Sequence, residues 1–245
     1  MTLAPTRGLE VVVSIRRQRA IREVGEPSIR GCLYNVLYTV IFCAVGIGAA
    51  ILLMRDVTTS EWLSILPTFL VANLVEYGIH RWPMHRNIGP MAFMLKLHMV
   101  HHNYFDENEF SVATFEDYEM VVFPPFVLNM LSLAVTLPLA GIAYLVAGMN
   151  VAMIFIATVM GYYLLMQLLH VFAHIPKGHL VHRIPGVDYI RNHHCIHHDH
   201  SEMANANFNF IIPISDWLFG TSRTEGRNRS ALAHADPKLE RDVLS

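Results

Sequence analysis

Four apolar stretches, at about 33–54, 62–79, 120–147 and 151–173, each carry enough hydrophobic residues to cross a bilayer core of about 30 Å, which takes roughly 20 helical residues. In hydrocarbon a lone segment must satisfy its own backbone, so these stretches predict helices rather than open strands. A short polar link over 55–61 joins the first two, and Gly148, Met149 and Asn150 make a tight turn between the last two. Both pairs therefore read as hairpins. Pro124, Pro125 and Pro138 interrupt the third stretch, where a missing N–H and a ring clash predict a kinked or broken helix.

The rest of the composition agrees. Hydrophobic residues make up 53% of the 245 and charged residues only 16%, against roughly 25% charged in a soluble domain, so the chain has too little polar surface to coat itself. Net charge is −2, which gives no reason to expect nucleic acid as a partner. Cys32, Cys43 and Cys195 have no paired spacing, which argues against a disulfide framework and fits a reducing compartment. Residues 1–32 interleave short apolar runs with Arg7, Arg16, Arg17, Arg19, Arg22 and Arg30 and lack the apolar core of a signal peptide. They read as a cytosolic arm, either an interfacial helix on anionic lipid or a disordered basic tail. With both termini inside, every lysine and arginine except Arg55 falls on the cytosolic side, as expected of an inner-membrane or reticulum protein. Residues 222–245 read as a polar tail.

The same topology brings all 15 histidines to the cytosolic membrane surface. Ten fall in four clusters: His80 and His85; His98, His101 and His102; His170 and His174; His194, His197 and His198. Residues three and four apart share a helix face, so each of the last three clusters is expected to point at one metal region. Pro83 is expected to end the second helix near Trp82 and turn His85 back toward His80. A single histidine is more often a hydrogen-bonded or surface residue than a ligand. Ten at ligand spacing outweigh that, and they are too many for one ion. The expectation is two ions, four or five nitrogens each, with open positions for dioxygen or water. The predicted fold class is thus all-α: a bundle of four transmembrane helices with a cytosolic helical cap that holds a histidine-rich dimetal site within 33–221.

Outside the ten, His179, His182, His193, His200 and His234 read first as ordinary polar residues, although His193 and His200 flank the last cluster and could support the ligands or serve as alternative ones. Glu76 is costly near the end of a membrane helix unless paired. It is expected either to orient a metal histidine through its other ring nitrogen or to bond a neighbouring helix. Asp199 and Asp216 are weaker candidates for the orienting role, exposure being the usual fate of such residues. Phe93, Met94, Leu95, Met99, Tyr104, Phe105 and Phe110 read more readily as packing than as a substrate entrance.

The cluster order, together with Asn207-Phe208-Asn209-Phe210 and Ser215-Asp216-Trp217-Leu218-Phe219-Gly220-Thr221, resembles the fatty acid hydroxylase and sterol desaturase superfamily from about Asn73 to Thr221. Many relatives have glycine where Asn209 stands. The resemblance implies that the ten clustered histidines are the metal ligands of a membrane oxygenase. It further implies two iron ions, with zinc able to occupy the site on purification. Dioxygen would be the co-substrate, a membrane lipid (acyl chain or sterol-like) the substrate, and a separate cytochrome b5 or ferredoxin-type protein the electron donor. Hydroxylation is preferred to desaturation, which starts with the same hydrogen abstraction. Two rivals from other classes are a zinc-dependent lipid hydrolase and a metal transporter. The transporter is disfavoured because the middles of all four stretches lack the ionisable ligands that a midplane transport site uses.

Overall fold

The computed structural model describes residues 7–226, with side chains from Ile15 onward. In chain order the α-helices are α1 (Arg7–Val24), α2 (Ile29–Leu53), α3 (Thr59–Trp62), α4 (Ile65–Arg81), α5 (Ala92–Tyr104), α6 (Pro125–Leu131), α7 (Leu137–Ala147), α8 (Met149–His174), α9 (Val187–His197) and α10 (Ile214–Leu218). No strand occurs among the described residues. The C-terminal residues beyond 226, His234 and most of the expected tail among them, lie outside the described residues.

Four helical stretches are long and apolar enough to cross a membrane: Ile29–Leu53, Thr59–Arg81, Glu116–Ala147 and Met149–His174. Local chemistry sets their ends. The Ser28 hydroxyl accepts from the Gly31 N–H at the start of α2. Thr58 and Glu61 form a reciprocal capping box on α3, which leads into α4. The third stretch is interrupted near its start, as Pro124 and Pro125 lead one to expect. A 3-10 turn spans Glu116–Met120, and α6 starts only where Pro125 takes the first helical position, which needs no N–H donor.

At Pro138 the same stretch is distorted without being ended. A π-helical turn over Ser132–Thr136 comes immediately before α7, in whose first turn the proline sits. The wider turn makes room for the carbonyl that a proline ring would otherwise strike four residues back, so the distortion is absorbed and the helix continues.

The chain divides into two compact units. The membrane unit comprises 27–76 and 113–171. In α8, 44% of the best apolar window is buried, against 17–22% for the other three, so α8 is the packed helix of this unit and the others turn most of their surface outward. That outward surface is aliphatic; Leu52, Leu145 and Val146 are each more than three-quarters exposed, as suits lipid and not water. Inside the unit, α2 approaches α8 so closely at Gly46 that a Cβ there would meet the Met160 sulfur at 2.6 Å. Tyr38 donates to Asn129 at 2.8 Å.

The second unit, built from 7–26, 77–112 and 172–226, carries most of the histidines. The expected basic arm is helical in its described part; Arg16 and Arg17 turn toward this unit, while Arg19 and Arg22 are exposed. The Arg17 guanidinium donates to the Tyr104 hydroxyl at 2.7 Å and lies over that ring, and Arg16 pairs with Asp106 and Glu107.

Candidate metal centre

The helices deliver the histidines in a pattern that helical pitch explains. Pro83 ends α4 at Arg81, and the following turn, with the His85 N–H on the Trp82 carbonyl, folds His85 back. Two groups result. His80, His85, His98, His102 and His197 form one; His101, His174 and His194, with His170 a turn before His174 on α8, form the other. Within each group the ligand atoms all lie within 4.8 Å of one another.

The structure therefore divides trios that were expected to act together. At about 100° per residue, His98 and His102 on α5 differ by about 40°, while His101 lies about 60° to the other side. So α5 gives His98 and His102 to the first group and His101 to the second. Helix α9 does the reverse: His197 goes to the first group and His194 to the second. His198, which caps α9, belongs to neither set of mutually close atoms, but its Nε2 is 3.0 Å from that of His194 and 3.1 Å from that of His101.

The donor chemistry can be read from the outer nitrogens. Nδ1 of His80, His174, His197 and His198 lies 2.5–2.8 Å from the carbonyl oxygens of Phe208, Phe110, Ala206 and Phe105, respectively. A carbonyl only accepts, so each Nδ1 carries the proton and each Nε2 presents a lone pair. Those lone pairs face more nitrogen. His98 Nε2 has the Nε2 atoms of His80, His85 and His102 all at 3.0 Å, and His85 Nε2 is 3.0 Å from that of His197. In the second group His194 Nε2 stands 3.1 Å from that of His174 and 3.0 Å from that of His198. One imidazole nitrogen holds at most one proton and cannot bond three others. Each group could hold a cation in place of those impossible bonds, and an all-imidazole set suits iron, zinc, copper or nickel.

Burial keeps these rings uncharged. It pushes His85, His98, His102 and His197 below the ordinary histidine range, with the neighbouring imidazoles reinforcing the shift. Aromatic rings close the surroundings: Phe210 stacks on His80, and Phe105 and Phe110 lie against His174. Phe105 and Phe110 are buried against histidine, which is a packing role.

The outer supports are partly new. The four carbonyls were not foreseen, because every residue has one and sequence carries no mark of which will be used. Asp216 is fully buried, contrary to the expectation of exposure. It accepts from the backbone N–H groups of Phe208 and Asn209, the Thr221 hydroxyl and, at 3.4 Å, His193 Nε2. Burial alone would raise its carboxyl, but those hydrogen bonds win and hold it below the usual carboxylate range. By fixing the loop at 208–209 it steadies the carbonyl that His80 uses. Asp199 is buried too, but its oxygen caps a local turn through the Ser201 N–H and hydroxyl. Glu76 accepts a hydrogen bond from the Tyr162 hydroxyl at 2.7 Å, the bond to a neighbouring helix that was one of its two expected roles.

Arg191 was missed altogether. Its buried guanidinium donates to the carbonyls of Ala173 and Ile175 and to the Ser111 hydroxyl, which ties the end of α8 to the segment carrying Phe110. An arginine on a helix that also bears two ligand candidates and is capped by a third was the available signal.

Comparison with known proteins bears directly on this site. The sequence matches the family described as fatty acid hydroxylase over residues 65–221, which includes all ten clustered histidines. The chain belongs to the fatty acid hydroxylase family. A solved structure of full-length scs7p, in which only the hydroxylase domain is visible, is similar to this fatty acid hydroxylase chain with a TM-score of 0.54 at 19% identity. The alignment covers 78% of this chain and 66% of that one, so the chain spans just under two thirds of its length. At that identity the likeness concerns the fold. None of the curated proteins matches this fatty acid hydroxylase sequence significantly. Membership, four apolar helices and histidine groups able to hold metal together describe a multi-pass membrane protein of this family with side chains placed to bind metal.

Proposed function

We propose that the protein is a membrane-bound non-haem di-iron oxygenase that hydroxylates an unactivated C–H bond of a lipid. The observation that carries the reading is the convergence of imidazole lone pairs in two adjoining sets that share α5 and α9. The proposed ligands are His80, His85, His98, His102 and His197 for one ion and His101, His170, His174, His194 and His198 for the other. Two iron ions held there supply the redox chemistry by which lipid C–H, dioxygen, two electrons and two protons become lipid C–OH and water. Zinc has no accessible redox change and supports only hydrolysis, although it can occupy such a site.

The chain's own groups prepare that chemistry. Burial keeps the imidazoles neutral and ready to bind, without a proton to displace. Carbonyls of Phe105, Phe110, Ala206 and Phe208 fix four rings and raise their basicity as ligands. Phenylalanine rings exclude bulk water. His193 and Asp216 act as outer supports. Residues 33–221 constitute the catalytic domain, with both termini and the site on the cytosolic side by the distribution of lysine and arginine. Electrons come from a separate cytochrome b5 or ferredoxin-type partner.

The test is lipid mass spectrometry on cells expressing wild type or His101→Ala under isotopically labelled dioxygen. A lipid that gains one labelled oxygen only with the wild type is expected. A product lacking two hydrogens replaces hydroxylation with desaturation, and turnover by the zinc-loaded protein without oxygen or reductant overturns the oxygenase reading.

A further inference from the structure

In the membrane unit the Thr39 hydroxyl, the Tyr163 hydroxyl and both ends of the Gln167 amide are buried without a hydrogen-bond partner among the described residues, as is the Ser64 hydroxyl at the start of α4, away from the other three. Thr39, Tyr163 and Gln167 are only 3%, 8% and 6% exposed. Buried polar groups in proteins are nearly always satisfied, and in a hydrocarbon setting the penalty for failure is larger, so the three together call for a ligand.

Their placement is organised. Tyr163, Gln167 and His170 follow one another on α8 at spacings of four and three, so they share one face, with Gln167 about 4.5 Å along the axis from His170. Helix α2 runs beside α8, touching it where Gly46 meets Met160. Counting from that contact in opposite directions puts Cys43 level with Tyr163. One further step puts Thr39 level with Gln167. The unsatisfied groups thus form a belt one helical turn from a proposed metal ligand, on the side of the membrane span.

We propose that Thr39, Tyr163 and Gln167 receive an uncharged hydroxyl group of the lipid substrate and so place a nearby carbon at the metal centre. The inference rests on the lipid oxygenase reading and names the kind of lipid. A hydroxyl both donates and accepts, as the two hydroxyls and the amide require. A carboxylate or phosphate does not fit, because α8 contains no lysine or arginine and the only one in α2 is Arg30, at its start. A plain hydrocarbon leaves all three groups unpaired.

The experiment measures binding of hexadecanol and of hexadecane to the metal-loaded full-length protein in detergent, without dioxygen or reductant. The wild type is expected to prefer the alcohol by about tenfold or more, and Gln167→Leu to erase most of that preference. Metal content should stay the same. The melting temperature of Gln167→Leu should hold or rise, since an unpartnered amide is gone. Tyr163→Phe and Thr39→Val, each removing one hydroxyl, are expected to weaken the preference by smaller factors and serve if Gln167→Leu does not fold. Equal binding of alcohol and hydrocarbon by the wild type, as when water alone fills the belt, overturns the inference, as does an undiminished preference in the variants. Oxygen uptake measured separately with lipid and reductant tests the oxygenase reading alone, because the binding assay contains neither oxidant nor reductant.

Discussion

The two histidine groups are supported in opposite ways. The first leans on an anion: Asp216 gathers two backbone N–H groups, a hydroxyl and His193, and so fixes the loop whose carbonyls hold His80 and His197. The second leans on a cation: Arg191 gathers two carbonyls and Ser111 and so fixes the segments bearing His174 and Phe110. The contrast teaches that a cage of neutral imidazoles draws its rigidity from charged residues that do not face the ions. It also makes the groups separable by mutation.

The largest expected effect comes from removing the centre of the first group. His98→Ala takes away the nitrogen that faces three others and should abolish turnover and the first ion together, as metal analysis of purified protein will report. Retention of two ions per chain would break the assignment. Next, Asp216→Ala should weaken metal binding by roughly 10–100-fold at the first group only, read by chelator competition with cobalt-loaded protein. A uniform loss at both groups would erase the contrast. Arg191→Met should do the same to the second group. Its effect should be smaller, roughly tenfold, because the Phe110 carbonyl and the packing around His174 persist.

The smallest effect concerns pH. Histidines with depressed folded values protonate first in the unfolded chain, so the metal-free protein is stable above the unfolded value of about 6.5 and loses stability as pH falls below it. Asp216 adds a second loss only at much lower pH, because its carboxyl sits below the ordinary carboxylate range. Melting temperature of chelator-treated protein should therefore fall steadily from neutral to about pH 5. A flat profile would mean that the rings titrate freely and are not buried as described.

Much of this was legible in the chain. Spans were legible because apolar runs of that length have few other uses, and the ligand candidates because residues three and four apart on a helix meet. Pro83 announced the turn that returns His85. The division of each trio between two groups lay in the same periodicity, in the angle of about 100° that separates neighbouring positions, but required the helices to be placed. Pro138 signalled a distortion without saying that a π-turn would absorb it. The carbonyls of Phe105, Phe110, Ala206 and Phe208 were illegible, since backbone atoms have no letter of their own. Asp216 looked like any aspartate before an aromatic residue.

The sharing of α5 and α9 has a mechanical result. Each rod carries rings for both groups, so the gap between the two proposed cations is ruled off by backbone pitch, like marks on a stick. Sliding either rod by one residue would swing its whole set of rings away and empty both sites together.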